Sequence, residues 1–221
     1  MRRLDHTRLA KSIPRPLPFF SSLLGNELVL FSGTNTWTWN GTTWSQWNVQ
    51  GPPSRGGAMM APLNGVLVLF GGQPPSPANA PDLSDTWTWD GVAWKQLSVT
   101  GPPGRHGAFL GPLNGKLVLF GGTTAPDSGI SSVAQYLSDT WTWDGATWSQ
   151  LNVSGPTPRC CGAMAPLNGK LVLFRGSGAL SGGPPGMATV LSDIWIWDGA
   201  AWTQQKGGPP DSTEFFLETL P

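Results

Sequence analysis

The sequence predicts an all-β protein assembled from tandem four-stranded antiparallel units, and three observations carry that prediction. A Trp-x-Trp pair recurs at Trp37, Trp87, Trp141 and Trp195 in steps of 50, 54 and 54 residues, a period of the kind that marks repeat architectures. An apolar run ending in LVLF recurs at 27–31, 66–70, 116–120 and 170–174. Asn-Gly or Asp-Gly dipeptides fall at seven equivalent places between these segments, and they are the strongest local hairpin signals because they supply positive φ at tight turns. Composition agrees. With 13 Trp, 30 Gly, 22 Pro and only 12% charged residues, the chain turns often around an aromatic core. The apolar area of the indoles argues against the disorder that so much Gly and Pro would otherwise suggest.

Each unit reads as four short strands. The first is small and apolar: FFSSLL at 19–24, GAMMAP at 57–62, GAFLGP at 107–112 and GAMAP at 162–166. The second is the LVLF run, too uniformly apolar to have a wet face, as in a sheet covered on both sides. The third is the alternating DTWTWD type, and the fourth the AWKQLSV type, both rich in aromatic and β-branched residues. First and second strands are joined by Asn64-Gly65, Asn114-Gly115 and Asn168-Gly169. Third and fourth are joined by Asn40-Gly41, Asp90-Gly91, Asp144-Gly145 and Asp198-Gly199. All seven read as type I′ turns.

Tandem units of this kind are the blades of a β-propeller. Residues 1–16 form a basic, Pro-containing N-terminal tail, and the propeller spans 17–221, in units of about 17–50, 57–100, 107–154 and 161–206. The segment 207–221 resembles the residues before the second strand of other repeats, with Phe216-Leu217 over Phe109-Leu110. It reads as the start of an incomplete fifth unit, so the expectation is four blades plus one extra C-terminal strand. That strand either replaces the N-terminal one in the first blade or belongs to a larger ring completed by further polypeptide, for which a second copy of the chain, closing the ring as a homodimer, is one candidate. The larger ring is the expectation.

The Gly pairs after the apolar runs (Gly71-Gly72, Gly121-Gly122), the aromatics ending the third strands (Trp89, Trp143, Trp197) and the Trp on the fourth strands (Trp94, Trp148, Trp202) resemble the kelch repeat, in the Trp-rich bacterial form related to the central domain of galactose oxidase. The resemblance covers about residues 25–206, with Ser32-Gly33 and Arg175-Gly176 departing from the Gly pair. Galactose oxidase itself holds copper through two Tyr and two His, one Tyr being cross-linked to a Cys. This chain offers Tyr136, His6 in the tail and His106, so the resemblance does not bring the oxidase activity. We expect no cofactor, no metal and no catalytic residue, since a Ser–His–Asp arrangement would need His106 as its base and the other repeats have no His at its place.

Parity of the strands puts the tight turns at one end of the blades and the variable segments at the other. Those segments are 73–84, 123–138 and 177–192, long enough to suggest function. The same end receives Arg55, Arg105 and Arg159 from the blade connections, with His106 beside Arg105, and Asp85, Asp139 and Asp193 from the loop ends. These residues, with Trp47, are the candidate ligand- or partner-binding set. The competing reading is that the recurring Arg and Asp stitch blade to blade. Trp47 stands where other repeats have Leu97 and Leu151, which makes it the least constrained indole and a candidate for stacking on a sugar. Cys160 and Cys161 are adjacent, in a connection that reads as one residue longer than its counterparts when Gly162 is matched to Gly57. Incidental loop thiols are expected there, a vicinal disulfide being the alternative.

Five of the 13 basic residues precede residue 16, leaving 8 basic against 12 acidic beyond it, which argues against a nucleic-acid groove in the body. No stretch approaches the roughly 18 apolar residues of a membrane span, and no signal peptide is read at the N-terminus. The compartment is left open, cytoplasmic by default and extracellular if the N-terminus is incomplete. The expected function is non-catalytic binding of another protein through the loop-rich face, with carbohydrate binding as the alternative.

Overall fold

A computed structural model describes residues 19–75, 80–124, 135–179 and 188–206. They form four four-stranded antiparallel sheets, each a simple meander. Blade 1 contains β1 (Phe19–Leu24), β2 (Glu27–Ser32), β3 (Asn35–Trp39) and β4 (Trp44–Trp47). Blade 2 contains β5 (Met59–Leu63), β6 (Val66–Phe70), β7 (Thr86–Trp89) and β8 (Trp94–Leu97). Blade 3 contains β9 (Phe109–Leu113), β10 (Lys116–Phe120), β13 (Thr140–Trp143) and β14 (Trp148–Leu151). Blade 4 contains β15 (Ala163–Leu167), β16 (Lys170–Phe174), β19 (Ile194–Trp197) and β20 (Trp202–Gln205). Two short ribbons, β11 (Thr123–Thr124) with β12 (Gln135–Tyr136) and β17 (Ser177–Ala179) with β18 (Ala188–Val190), extend the loop-rich end. The N-terminal tail and the expected fifth-unit strand lie outside the described residues.

The turns divide into two kinds. Leu63 pairs with Val66 across Asn64-Gly65, and both turn residues have positive φ, 49° and 81°, as a two-residue type I′ turn demands. The Asp-Gly joints differ from the expectation. Trp89 pairs with Trp94, which leaves four residues between the strands. Of the Asp90-Gly91 pair only Gly91 has positive φ. Asp90 Oδ1 instead accepts the N–H groups of Val92 and Ala93, each at 2.8 Å. The aspartate acts through its side chain, as an Asx turn.

First strands of successive blades adjoin, β1 to β5, β5 to β9 and β9 to β15, and each blade lays one face on the next. Between blades 2 and 3, Met59, Ala61, Leu63, Val68 and Phe70 meet Leu117, Leu119, Trp143 and Trp148. The same positions meet between blades 1 and 2 and between blades 3 and 4. Every joint carries one polar pin: the fourth-strand indole Nε1 donates to a buried threonine of the preceding blade. The pairs are Trp94–Thr36 (2.8 Å), Trp148–Thr86 (3.0 Å) and Trp202–Thr140 (3.0 Å). Pairing the N–H removes the cost of burying it.

Blade 4 departs from this scheme on its outward face. The strand β15 is largely exposed where β5 and β9 alternate between buried and half-buried. Ile194 replaces the threonine that accepts the next indole. Phe70 and Phe120 each pack on the following blade's Trp, at 5.2 and 5.3 Å, whereas the Arg175 guanidinium lies over Phe174 at 5.3 Å, a cation–π contact. Arg175 also occupies the place of Gly71 and Gly121. A Cβ at either glycine would stand 2.6 Å from the next blade's Arg105 or Arg159 carbonyl oxygen. We expect Gly121→Ala, clashing and at φ +64°, to cost more than about 1 kcal/mol, measured as a lowered urea midpoint.

Candidate functional site

The recurring Arg and Asp face the protein. Arg55, Arg105 and Arg159 have fully buried side chains. Arg105 Nη1 donates to Asp139 Oδ1 (2.6 Å) and to Gly121 O (3.0 Å), Nη2 to Asp139 Oδ2 (2.8 Å), and Nε to Pro103 O (3.0 Å). Arg55 repeats this geometry with Asp85, Gly71 and Pro53. Arg159 pairs in the same way with Asp193. The main chain of the same residue joins the neighbouring blade: Arg105 N donates to Leu83 O, and Gly72 N donates to Arg105 O. Arg105 and Arg159 therefore tie their own blade through the side chain and the preceding blade through the backbone, while Arg55 makes the side-chain tie within blade 2. The stitching alternative describes this geometry.

The carboxylates also accept an indole proton, Trp87, Trp141 and Trp195 donating to Asp85, Asp139 and Asp193 at 2.6 to 2.7 Å. Desolvation by burial acts to raise each carboxyl, but the hydrogen bonds from Arg and Trp and the guanidinium charge outweigh it and hold all three below the ordinary value of 3.8. A depressed folded-state value stabilises above the unfolded value, and that contribution is lost as pH falls through the folded one. Stability is therefore expected to hold through neutral pH and to drop as acid takes the protein below about pH 4, as a pH series of thermal melts will show.

Trp47 is half-buried in the joint between blades 1 and 2, filling the place that Leu97 and Leu151 fill in later joints. Its ring meets Trp89 edge-on at 5.5 Å, and its Nε1 donates to Thr38 Oγ1 at 3.1 Å. All thirteen indoles are buried or half-buried. A shallow cleft beside Asp85, lined by Ser84, Gln96, Ser98 and Thr100, has no aromatic wall.

Chemistry that does not recur gathers where the first strands begin, at the inner end of the loop-rich face. Three equivalent pairs stand there: Gly56-Gly57, His106-Gly107 and Cys160-Cys161. The first member of each bridges to Gln73, Thr123 or Ser177, and the second has φ of 62°, 62° and 65°. Gly107 N donates to Gly57 O and Cys161 N to Gly107 O, at 2.7 and 2.8 Å, so the three pairs form a hydrogen-bonded series across blades. The 155–162 connection is therefore as long as its counterparts. Cys161, not Gly162, takes the place of Gly57, an error of register that the GAM motif invites. Holding a non-glycine residue there costs about 1–2 kcal/mol. The two cysteines are joined as a vicinal disulfide, not the incidental thiols expected.

His106 Nδ1 lies 2.9 Å from Asp82 Oδ2, with the Asp82 side chain 1% exposed and the imidazole 24% exposed. A carboxylate at that distance accepts the Nδ1 proton and fixes the ring, leaving Nε2 as the nitrogen not engaged by Asp82. Sequence reasoning missed Asp82. The signal was present in the three loop ends DLSD, YLSD and VLSD, which differ only at Asp82, Tyr136 and Val190.

Four meandering sheets joined by recurring Trp, Phe and Thr contacts are the geometry of kelch blades, and comparison with known proteins agrees. Residues 158–203 match the Kelch motif. The solved structure titled "Structure of YjhT" superposes on the chain with a TM-score of 0.70, covering 89% of this chain and 68% of that one at 16% identity. No curated protein sequence matches. The fold is thus kelch-repeat-like and structurally related to YjhT. Among the described residues of this kelch-like chain, no group of three or more His, Cys, Asp or Glu is placed to hold a metal ion, so there is no galactose-oxidase-type copper site among them. No described helix is long and apolar enough to cross a membrane.

Proposed function

We propose that this chain is a non-catalytic kelch-like module that binds another protein through its loop-rich face. The observation that carries the reading is where the blades differ. Arg, Asp, Trp and Thr recur from blade to blade and are used up in holding them together, whereas the side chains peculiar to one blade collect at the inner end of the loop-rich face. A surface of irregular loops on a rigid scaffold is the usual place for recognition. Sugar stacking would need an open indole, and the described indoles are packed.

Affinity capture with the intact chain, followed by calorimetric titration of the captured protein, tests the proposal. Saturable binding weakened by His106→Ala and unchanged by Lys116→Ala at the tight-turn end supports it. Saturable binding to a glycan array, with no protein bound, overturns it in favour of a carbohydrate module. Closure by a second copy is a further proposal about partners: sedimentation equilibrium at twice the chain mass supports it, and a monomer at all concentrations removes it.

A further inference from the structure

We infer that the Cys160–Cys161 bridge is a site of reversible thiol–disulfide exchange, taking thiols as its reaction partner and acting as the latch between blade 3, blade 4 and the β17–β18 ribbon. Three observations lead there. The two residues are unequal in access, Cys160 being 5% exposed while Cys161 is exposed, so Cys161 is the one an incoming thiolate would approach. The bridge is wired to two segments beyond its own connection. Cys160 exchanges two 2.8 Å main-chain hydrogen bonds with Ser177, the first residue of β17, and Cys161 N donates to Gly107 O of the preceding connection. A Cβ built on Gly107 would stand 2.9 Å from Cys161 Sγ, so the bridge also covers that glycine. Finally, Cys161 occupies a left-handed position that glycine fills in blades 2 and 3. Its side chain disfavours that conformation, and opening the bridge frees it to leave.

The chemistry balances with two equivalents of thiol. A thiolate attacks Cys161 Sγ, the Cys160–Cys161 bond breaks, and Cys160 departs as thiolate and takes up a proton. A second thiol then attacks the mixed disulfide at the external sulfur, releasing Cys161 as a thiol and an external disulfide. Two electrons pass from the thiols to the bridge, and the reverse sequence restores it. Exchange of this kind requires an accessible sulfur and a thiolate nucleophile. The inference is independent of what the loop-rich face binds.

The test is native-state reduction of the intact chain by dithiothreitol without denaturant, with alkylation and mass spectrometry to count trapped thiols and hydrogen exchange to follow the backbone. Two thiols, re-oxidisable by glutathione disulfide, are expected. Amide exchange at Cys161 and along 177–179 and 188–190 should rise about tenfold or more while the blade joints stay protected. Cys161→Gly, which installs the residue of the sister blades, should fold and show no exchange response to the reductant. Failure to trap thiols without denaturant overturns the inference. So does reduction that leaves these amides unchanged, or a Cys161→Gly chain that responds to reductant as the natural one does.

Discussion

Asp139→Ala is expected to destabilise the protein by about 3–5 kcal/mol, because it leaves a fully buried guanidinium without its counter-charge. The Arg105 side chain has no solvent exposure, and Asp139 is 22% exposed. Among the described residues Asp139 is the carboxylate paired with Arg105, and Trp141 loses its acceptor in the same step. The loss also reaches the joint between blades 2 and 3, since the Arg105 backbone holds Leu83 and Gly72 of the preceding blade. Against a domain stability of about 5–15 kcal/mol, this is a large fraction. Urea unfolding at neutral pH measures it as a shift in midpoint. An exposed control, Asp144→Ala, removes only turn hydrogen bonds and should move the midpoint far less. Equal shifts for the two variants would mean that the Arg–Asp clamp is hydrated in solution, and the stitching role would fail.

Repetition made the blades legible from sequence, because a strand seen four times, with its turn and its tryptophans, needs no tertiary information to be recognised. The same repetition hid what the blades do with their polar residues. Arg105 and Asp139 lie 34 positions apart in sequence, and nothing local distinguishes an arginine buried beneath its own blade's loop from one offered to a ligand. Trp47 looked unconstrained because it differs from Leu97 and Leu151, yet the joint simply holds a larger side chain there. Cys161 is hidden for a related reason: the GAM motif points to Gly162 as the counterpart of Gly57, whereas the backbone needs a left-handed residue directly after Cys160. Asp82 required pairing across 24 residues and two blades. The Arg–Asp, His–Asp and cysteine contacts are made between loops, where the local sequence does not show which side chains meet.

Tryptophans at one repeat position offer an internal control on where the series of blades is covered. Trp148→Ala should cost about 3–5 kcal/mol, the range for a buried large aromatic, since its ring fills the joint against Phe70 and its Nε1 pins Thr86, whose hydroxyl would be left buried without its donor. Trp44 occupies the same place in blade 1 and keeps the contact with its own strand partner, Trp39, at 5.4 Å, but it is only half-buried. Trp44→Ala should therefore cost less, about 1–2 kcal/mol. Both changes should move the midpoint of far-UV dichroism in urea without altering the slope, because neither changes the surface exposed on unfolding by much. Comparable losses at the two sites would show that the outward face of blade 1 is covered in solution as fully as the inner joints. If the Trp44→Ala loss also grew with protein concentration, a second copy would be the covering element, since only association makes stability depend on concentration.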